Sequence, residues 1–399
     1  MMKKVNIYVL LVTILMAFSN QSEAQQKTTE KCITYQGKPF FPIGFYYYPD
    51  SLLNPDDKEL DLIVKAGFNT IHIDVKDSTN SLVFFDQCQR KGLKIIAQFG
   101  DGFGKFGMGD VSALPIYMNH PALLGWSIAD DANNGKNNIE HIIERQKIVK
   151  STKPDLQTFL SVYQNYEKGI SLAPQDFLGT GDIVSFEMYP IDSWGQALGA
   201  FTKDEELLET ERELDAFQEV NFKKFNKILV AIPQTFSWAS YTKDKKARLL
   251  DPDELRNITY TGMINGAKGV LNYTFGQKAI VAKDIPNYKM TFTPKLWNEA
   301  CAIAQEINQL KDVYLNGIRT KINLGKDSWL RVAKWEYNKK TYLIVSNLHK
   351  TASQNLNYNL ISSGKITNLF KQRNASVALK GGFLQGIIPP KQVQIYQID

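Results

Sequence analysis

Cysteine and histidine are scarce in this chain. Its 399 residues include only three cysteines, Cys32, Cys88 and Cys301, and four histidines. Three scattered cysteines cannot make a disulfide framework, so buried free thiols are expected, although export to an oxidising compartment would permit one bridge. No two histidines stand at a metal-ligand spacing, which disfavours a zinc site and a histidine-based catalytic triad.

Long blocks of like charge are also missing. The chain has 47 Lys and Arg residues against 41 Asp and Glu residues, a net charge of +6, and both signs are spread along it. This mild excess suits solubility and predicts no nucleic-acid partner. No Walker loop is present, and the glycine-rich segment 100–104 does not open a long apolar-periodic helix, so a phosphate-binding cradle is not expected.

Only one stretch is apolar enough to suggest a membrane segment, and it lies at the amino terminus. Lys3 and Lys4 precede an apolar run over 7–18, and Ser22 and Ala24 supply small residues at the positions that a signal peptidase reads. A membrane anchor is the competing interpretation, but the run is shorter than the roughly 20 residues of a spanning helix. We therefore predict a signal peptide over 1–24, export to the periplasm or the extracellular space, and no stable membrane anchor.

From Phe40 onward, short segments rich in branched and aromatic residues alternate with helix-like stretches. Such alternation is typical of βα units around a parallel sheet. Eight strands, each followed by a helix, close most naturally into a (β/α)8 barrel, whereas a doubly wound open sheet would need a glycine-rich first turn. The predicted strands are 40–48, 70–75, 94–99, 123–129, 158–163, 183–189, 228–235 and 269–275.

The last part of the chain has a different character. After a helical segment that ends near Asp312, short alternating strands follow without intervening helices, and Asn338-Lys339 is a hairpin candidate. We therefore predict an α/β chain with a (β/α)8 barrel over 25–312 and a small antiparallel β-sandwich over 313–399.

Acidic and aromatic residues are concentrated at the carboxyl ends of the predicted strands. A (β/α)8 barrel builds its active site at that end, so these side chains are expected to line one concave pocket there, which we call the bowl. Carboxylic acids that flank a bond and aromatic rings that stack on pyranose faces are what sugar chemistry requires. The acids are Asp74, Asp101, Asp130, Asp131 and Glu187, and the accompanying residues are Tyr47, Tyr48, Tyr163, Gln164, Asn165, Tyr189, Gln234, Trp238 and Tyr273.

Each acid also has a plainer interpretation. Asp74 could hold backbone amides or pair with a neighbouring lysine, and Asp101 could cap the glycine-rich loop. Of Asp130 and Asp131, one is expected to support the other by hydrogen bonding, because neighbouring residues on an extended strand point to opposite sides. Glu187 lies in an apolar run, so a buried pairing with a basic group is its alternative.

One segment carries a fairly specific resemblance to a known family. Residues 120–131, HPALLGWSIADD, resemble the strand-four motif of clan A glycoside hydrolases, in which a Trp precedes an Asn-Glu or Asp-Glu pair. The resemblance implies that Asp131 stands at the position of the general acid/base and Asp130 at that of the Asn. Segments 38–45, 182–190 and 267–270 look like the same barrel type, so the likeness covers nearly all of the mature chain.

Two positions depart from the family pattern. Asp131 is one methylene shorter than Glu, which moves its carboxyl group by roughly 1 Å, a distance to which catalysis is sensitive. Gln234 ends the seventh predicted strand, where a retaining enzyme of the clan carries its nucleophilic Glu. Three interpretations stay open: a hydrolase in which Glu187 is the second carboxylate, a non-catalytic carbohydrate-binding barrel, or a hydrolase that uses Asp74 or Asp101.

The sequence favours an exported glycoside hydrolase that acts on a β-linked or furanoside-containing glycan. Asp131 is expected as general acid/base and Glu187 as its partner, with Asp130 and Gln234 as hydrogen-bonding supports. This chemistry requires no metal and no organic cofactor. The expected sugar platform is Tyr47, Tyr48, Tyr189 and Trp238, and the further expected substrate contacts are Asp74, Asp101, Asp130, Tyr163, Asn165, Gln234 and Tyr273.

Overall fold

The computed structural model describes residues 30–48, 57–75, 78–99, 114–135, 137–164, 172–193, 199, 201–240, 247–277, 288–325, 327–360, 364–370 and 377–399. The predicted signal peptide, Asp101 and Asn165 lie outside these ranges. Tyr47 and Tyr48 are described as strand backbone, without their side chains. Residues Lys31–Asp399 form one compact unit.

Eight parallel strands close into a barrel, which confirms the predicted fold class. A short antiparallel hairpin, β1 (Ile33–Tyr35) and β2 (Lys38–Phe40), precedes them. The barrel closes where Val270 of the last strand lies opposite Ile43 of the first. The barrel strands are β3 (Ile43–Tyr48), β4 (Thr70–Val75), β5 (Lys94–Phe99), β6 (Leu123–Ala129), β7 (Gln157–Tyr163), β8 (Ile183–Met188), β9 (Ile228–Pro233) and β10 (Val270–Asn272).

The strands form because runs of branched and aromatic residues can pack on both faces of a buried parallel sheet. Alternate residues face the barrel interior, and the others face the surrounding helices. The β1–β2 hairpin adds Ile33 to the interior cluster, and its Tyr35 hydroxyl donates to the Pro121 carbonyl at 2.5 Å. The other buried apolar residues of that cluster are Tyr46, Ile96, Leu124, Phe159, Ile183, Tyr189, Ile228, Val230, Ile232, Phe236 and Leu271.

Within the described residues, a helix or a 3-10 turn follows each barrel strand. The α-helices are α1 (Asp57–Lys65), α2 (Ser78–Lys91), α3 (Leu114–Met118), α4 (Ile139–Thr152), α5 (Glu206–Val220), α6 (Pro252–Ile264) and α7 (Pro294–Asn316). Asp251 and Glu254 start α6 with a reciprocal capping box. Shorter turns of 3-10 helix occupy Pro174–Phe177, Trp238–Ser240 and Met290–Phe292, and a π-helical turn over Asn221–Phe225 extends α5.

Two sheets make up the carboxy-terminal β-domain. Asn338 and Lys339 both have positive φ, 50° and 61°, and join two of its strands in the expected hairpin. A separate two-stranded ribbon, β11 (Gly276–Gln277) and β12 (Tyr288–Lys289), lies between barrel and domain in sequence. The domain strands are β13 (Ile318–Ile322), β14 (Leu330–Tyr337), β15 (Lys340–Asn347), β16 (Gln354–Asn359), β17 (Ile366–Asn368), β18 (Val377–Lys380), β19 (Phe383–Ile388) and β20 (Val393–Ile398), in the orders β13-β14-β15-β20-β17 and β16-β19-β18.

The division between the two parts lies slightly later than the sequence suggested. Helix α7 continues through Asp312 to Asn316, and the first strand of the β-domain begins at Ile318. The helix continues because Val313 and Tyr314 are buried too, which extends the apolar face of the helix by one more turn. Among the described residues, no helix combines the length and the apolarity needed to cross a bilayer.

Candidate active site

Three carboxyl groups meet at the carboxyl ends of two barrel strands, β6 and β8, which flank β7. Asp130 and Asp131 follow β6 directly, and Glu187 is the penultimate residue of β8. Each offers an oxygen that lies within 4.8 Å of the other two. Asp130 is exposed, Asp131 is partly exposed and Glu187 is buried, so the cluster runs from the open bowl into the barrel wall.

Ser161, on the strand between β6 and β8, lies at the centre of this cluster. Its Oγ is 2.6 Å from Glu187 Oε1 and 3.0 Å from Asp130 Oδ1, and it accepts the backbone N–H of Asp131 at 2.9 Å. Asp131 has a left-handed backbone, φ 47°, a conformation that Asp tolerates better than most residues. The Ser161 contact therefore fixes a turn that brings Asp131 back toward Glu187.

Tyr46 holds Asp130 from the opposite side. Its hydroxyl group donates to Asp130 Oδ1 at 2.6 Å, and its ring stacks on His72 with centroids 4.3 Å apart. Burial raises the pKa of Tyr46 well above its ordinary value, and Asp130 and Glu187 raise it further. Tyr46 therefore keeps its proton and acts as a permanent donor to Asp130.

Glu187 is the member of the cluster that resists ionisation. Glu187 is only 5% exposed, and this burial is the largest cause of a pKa well above the ordinary value of a glutamate. The negative charges of Asp131 and Asp130 raise that pKa further. The alternative for Glu187 was a buried basic partner. The described groups that interact with it are instead Asp130, Asp131 and Ser161, together with the hydroxyl groups of Tyr46 and Tyr189.

An aromatic wall stands beside the carboxyl cluster. Tyr189 stacks on Tyr273 with ring centroids 5.5 Å apart, and Phe236 meets Tyr189 edge-on at 5.1 Å. Trp238 contacts Phe236 at 5.1 Å and donates its indole N–H to the Tyr189 carbonyl at 3.3 Å. Tyr46 links the wall to the acids, since its ring lies 6.2 Å from Tyr273. This arrangement can stack on the apolar face of a sugar ring.

Gln234 does not reach the bowl, so the expectation that it contacts substrate is not supported. Its side chain is completely buried and accepts the Ile191 N–H at 2.9 Å. Its amide group donates to the carbonyls of Ile191 and Phe236 at 3.2 Å and 3.0 Å. All hydrogen-bonding groups of this side chain thus bond to backbone groups. Gln234 therefore links the ends of β8 and β9, which position the aromatic wall.

Asp74 and Tyr163 lie at the ends of other barrel strands. Asp74 is only 6% exposed and accepts a hydrogen bond from the Gln98 amide of the neighbouring strand. Tyr163 is partly exposed and lies in register with Glu187. Asp74 is therefore a buried supporting group, whereas Tyr163 stands at the rim beside the cluster.

Sequence reasoning did not single out Ser161, Tyr46 or His72. Ser161 is a small polar residue inside the apolar run of β7, and His72 interrupts a similar run in β4. A polar residue at an inward position of a buried strand is the signal that could have identified both. Tyr46 was hidden among three consecutive tyrosines, and only the barrel geometry shows which of them meets Asp130.

The same three carboxyl groups are also close enough to share a cation. A divalent metal would need them ionised, and it would compete with the hydroxyl groups of Tyr46 and Ser161 for the oxygens Asp130 Oδ1 and Glu187 Oε1. The hydrogen bonds among the described residues fit a shared proton at this position.

Sequence comparison finds no matching family model and no matching curated protein. Solved structures do resemble the chain. A glycoside hydrolase superposes with a TM-score of 0.60 at 10% identity, covering 94% of this chain and 95% of that one. A family 5 glycoside hydrolase from Bacteroides vulgatus gives 0.59 at 12% identity, covering 92% and 93%. An α-amylase from Geobacillus thermoleovorans, complexed with acarbose, gives 0.56 at 12%, covering 90% and 98%.

These similarities establish the fold. The chain has the (β/α)8 barrel architecture found in glycoside hydrolases, as the strand-four resemblance implied. At 10–12% identity the neighbours do not define the chemistry of this chain, because one fold carries many activities.

Proposed function

We propose that this chain is a glycoside hydrolase whose reaction takes place at Asp130, Asp131 and Glu187. The observation that carries the proposal is the meeting of these carboxyl groups within 4.8 Å at the carboxyl ends of the barrel strands, where (β/α)8 enzymes build their active sites. The adjacent aromatic wall and the fold shared with glycoside hydrolases support a glycan as the substrate.

The surroundings of the carboxyl groups favour separate roles. Burial and two negative neighbours raise the pKa of Glu187, so this carboxyl group gives up its proton less readily than an ordinary glutamate. Asp131 is partly exposed and lies beside it, which suits an ionised partner. An acid and a base whose environments separate their pKa values are what acid/base catalysis needs. We therefore propose that Glu187 supplies the proton and Asp131 the negative charge, the reverse of the roles that the resemblance implied.

The spacing also favours one stereochemical outcome. Retaining glycosidases hold their two carboxyl groups about 5–5.5 Å apart, whereas inverting enzymes leave roughly 6.5–9.5 Å for a water molecule. Because the oxygens here lie within 4.8 Å, we expect hydrolysis with retention of anomeric configuration. Proton NMR of the sugar first released distinguishes the two outcomes.

A glycan panel tests the proposed activity. The purified mature chain is incubated with neutral, acidic and amino-sugar glycans, and released sugar and binding are measured together. We expect turnover of at least one glycan and a loss of about 10²- to 10⁴-fold in Asp131→Asn and Glu187→Gln. Asp155→Asn, in an exposed turn before β7, is the matched control and should keep full activity. Added divalent metal or chelator should leave the rate unchanged.

A non-catalytic carbohydrate-binding barrel is the second candidate. The observation in its favour is Gln234, which lies at the position where a clan A nucleophile would stand and is fixed to the backbone. Glycan binding without turnover, unchanged in Asp131→Ala, would support this candidate and overturn the hydrolase.

We also propose that the chain is exported after cleavage following Ala24. The basic start, the apolar run and the small residues at the cleavage point support this. Amino-terminal sequencing of protein from the periplasm and medium of a bacterial host should give Gln25 as the first residue. Retention of Met1 in cell-associated protein would contradict it.

A further inference from the structure

The hydroxyl group of Ser161 contacts two carboxyl groups although it has only one hydrogen to donate. Its Oγ lies 2.6 Å from Glu187 Oε1 and 3.0 Å from Asp130 Oδ1. The Ser161 hydrogen can satisfy only one of these contacts, and two bare oxygen atoms at the other would repel each other. One of the two carboxyl groups must therefore bring a proton of its own, so a single proton is shared along the line Glu187–Ser161–Asp130.

The two ends of this line have different surroundings. Glu187 is buried, whereas Asp130 is exposed to the bowl. The raised pKa of Glu187 places the extra proton at the buried end. Ser161 then accepts from Glu187 and donates to Asp130, and it still accepts the Asp131 N–H at 2.9 Å. The proton is thus stored away from the bowl, and the carboxylate that a substrate can reach lies at the other end.

We propose that Ser161 relays the proton of Glu187 to Asp130, and that Asp130 delivers it to the glycosidic oxygen. The relay rests on the proposed hydrolase function and names Asp130, expected from the sequence as a support and a substrate contact, as the group that gives the proton to the substrate. Ser161 Oγ takes the proton as the Glu187 O–H bond breaks, and the hydrogen of Ser161 moves to Asp130 Oδ1. The water that attacks the anomeric carbon later returns one proton along the reverse path, so the proton balance closes.

Tyr46 keeps the outer end of the relay in place. Its hydroxyl group donates to the same Asp130 Oδ1 at 2.6 Å, and it cannot replace the relay because it keeps its own proton. Tyr46 is therefore a positioning residue that acts through Asp130. Glu187 also has a side-chain hydrogen bond with Asp131, and Tyr189 beyond β8 faces it. Neither Asp131 nor Tyr189 lies between Glu187 and Asp130 in the hydrogen-bonded line.

The test compares leaving groups in Ser161→Ala and Asp130→Asn. An alkyl glycoside of the sugar that the wild type releases needs a proton on its leaving oxygen, whereas a dinitrophenyl glycoside does not. We expect kcat/KM for the alkyl glycoside, which reports cleavage of the glycosidic bond, to fall about 10²- to 10⁴-fold in both variants. For the dinitrophenyl glycoside kcat/KM should stay within about tenfold of the wild type, whereas its kcat falls, because the attacking water still needs the relay in reverse. Ser161→Thr, which keeps the hydroxyl group, should recover most of the alkyl activity.

Ser185→Ala is the matched control. Ser185 is a buried serine that lies in register with Ser161 on the adjacent strand, and its replacement should not distinguish the two leaving groups. Equal losses of kcat/KM on both glycosides in Ser161→Ala, or wild-type rates on the alkyl glycoside, would overturn the relay while leaving the hydrolase intact. Absence of any wild-type turnover would overturn the proposed function, and the relay with it. If Ser161→Ala does not fold, Asp130→Asn decides by the same criterion.

Discussion

His72 is a histidine beside the candidate site that adds no positive charge to it. Its ring is completely buried in β4, and burial lowers its pKa from 6.5 to about 4, although Asp130 pulls the pKa upward. At neutral pH the ring is therefore uncharged and serves as a flat surface on which Tyr46 stacks. The described donors to the Asp130 carboxyl group are therefore the hydroxyl groups of Tyr46 and Ser161, and the nearby His72 ring is not a cation.

We predict that His72 makes the protein sensitive to acid. Below pH 6.5 the unfolded chain binds a proton at this residue and the folded chain does not, so stability falls as the pH drops toward about 4. The loss is on the order of 3 kcal/mol, since one pKa unit corresponds to about 1.4 kcal/mol. Urea unfolding across this range should give a flatter profile for His72→Phe. His141→Phe, at an exposed position of α4, is the control and should follow the wild type.

Glu187 should have the opposite pH dependence. Because its folded pKa is raised, stability is fully present below about pH 4.5 and declines as the pH rises, since only the unfolded chain then ionises. Glu187→Gln cannot ionise, so we predict that it becomes progressively more stable than the wild type above that pH, by at most about 1.4 kcal/mol per pH unit. Denaturant titrations of both proteins between about pH 4 and pH 8 measure the difference. A constant difference would show that Glu187 is ionised in the folded chain.

At the scale of single elements, the ends of β8 and β9 depend on Gln234. The sequence placed this residue at a catalytic position by analogy, but its side chain forms three hydrogen bonds to the backbone of Ile191 and Phe236. These bonds hold the turn from which the aromatic wall projects. A carboxylate cannot donate to two carbonyl oxygens, so Glu would be a poor replacement at this position.

We therefore predict that Gln234→Glu lowers the free energy of unfolding by about 2–4 kcal/mol and brings no gain in hydrolysis. Urea unfolding and the glycan assay measure the two effects. Gln385→Glu, on an exposed strand of the β-domain, is the control and should change stability by less than about 0.5 kcal/mol. An increase in turnover would show that the side chain at position 234 can face the bowl.

Most barrel strands could be predicted because their apolar runs are bounded by clear turn signals. The bounds 70–75, 94–99 and 123–129 agree with the structure at both ends. The eighth strand is shorter than the predicted 269–275, since only Val270–Asn272 pairs with β3, and of these residues only Val270 also pairs with β9. Side-chain contacts were harder to predict than strands. Ser161 is 31 residues from Asp130 and 26 residues from Glu187 in the sequence, and short-range sequence patterns do not indicate contacts at such separations.

At the scale of the whole molecule, the barrel and the β-domain share one apolar core. The same buried cluster contains Leu255 and Ile307 from barrel helices and Trp335 and Ile395 from the β-domain. Polar contacts cross the same boundary. The Asn257 amide of α6 lies 3.0 Å from Ser346 Oγ and 2.8 Å from the Asn347 carbonyl. A single core with buried polar contacts across it favours one cooperative folding unit.

We predict that the barrel and the β-domain unfold together. Asn257→Ala should then lower the free energy of unfolding of both parts by about 2 kcal/mol, because the buried oxygens of Ser346 and Asn347 lose the Asn257 amide as a donor. Far-UV circular dichroism follows the helices, all of which end before Ile318 in the described chain, and hydrogen exchange of β14 and β15 follows the β-domain. Both probes should give the same urea midpoint in the wild type and the same reduced midpoint in the variant. Asn357→Ala, on an exposed strand, is the control. If β14 and β15 exchanged at a urea concentration where the helical signal was intact, the β-domain would be an independent unit, and the contacts of Asn257 would not couple it to the barrel.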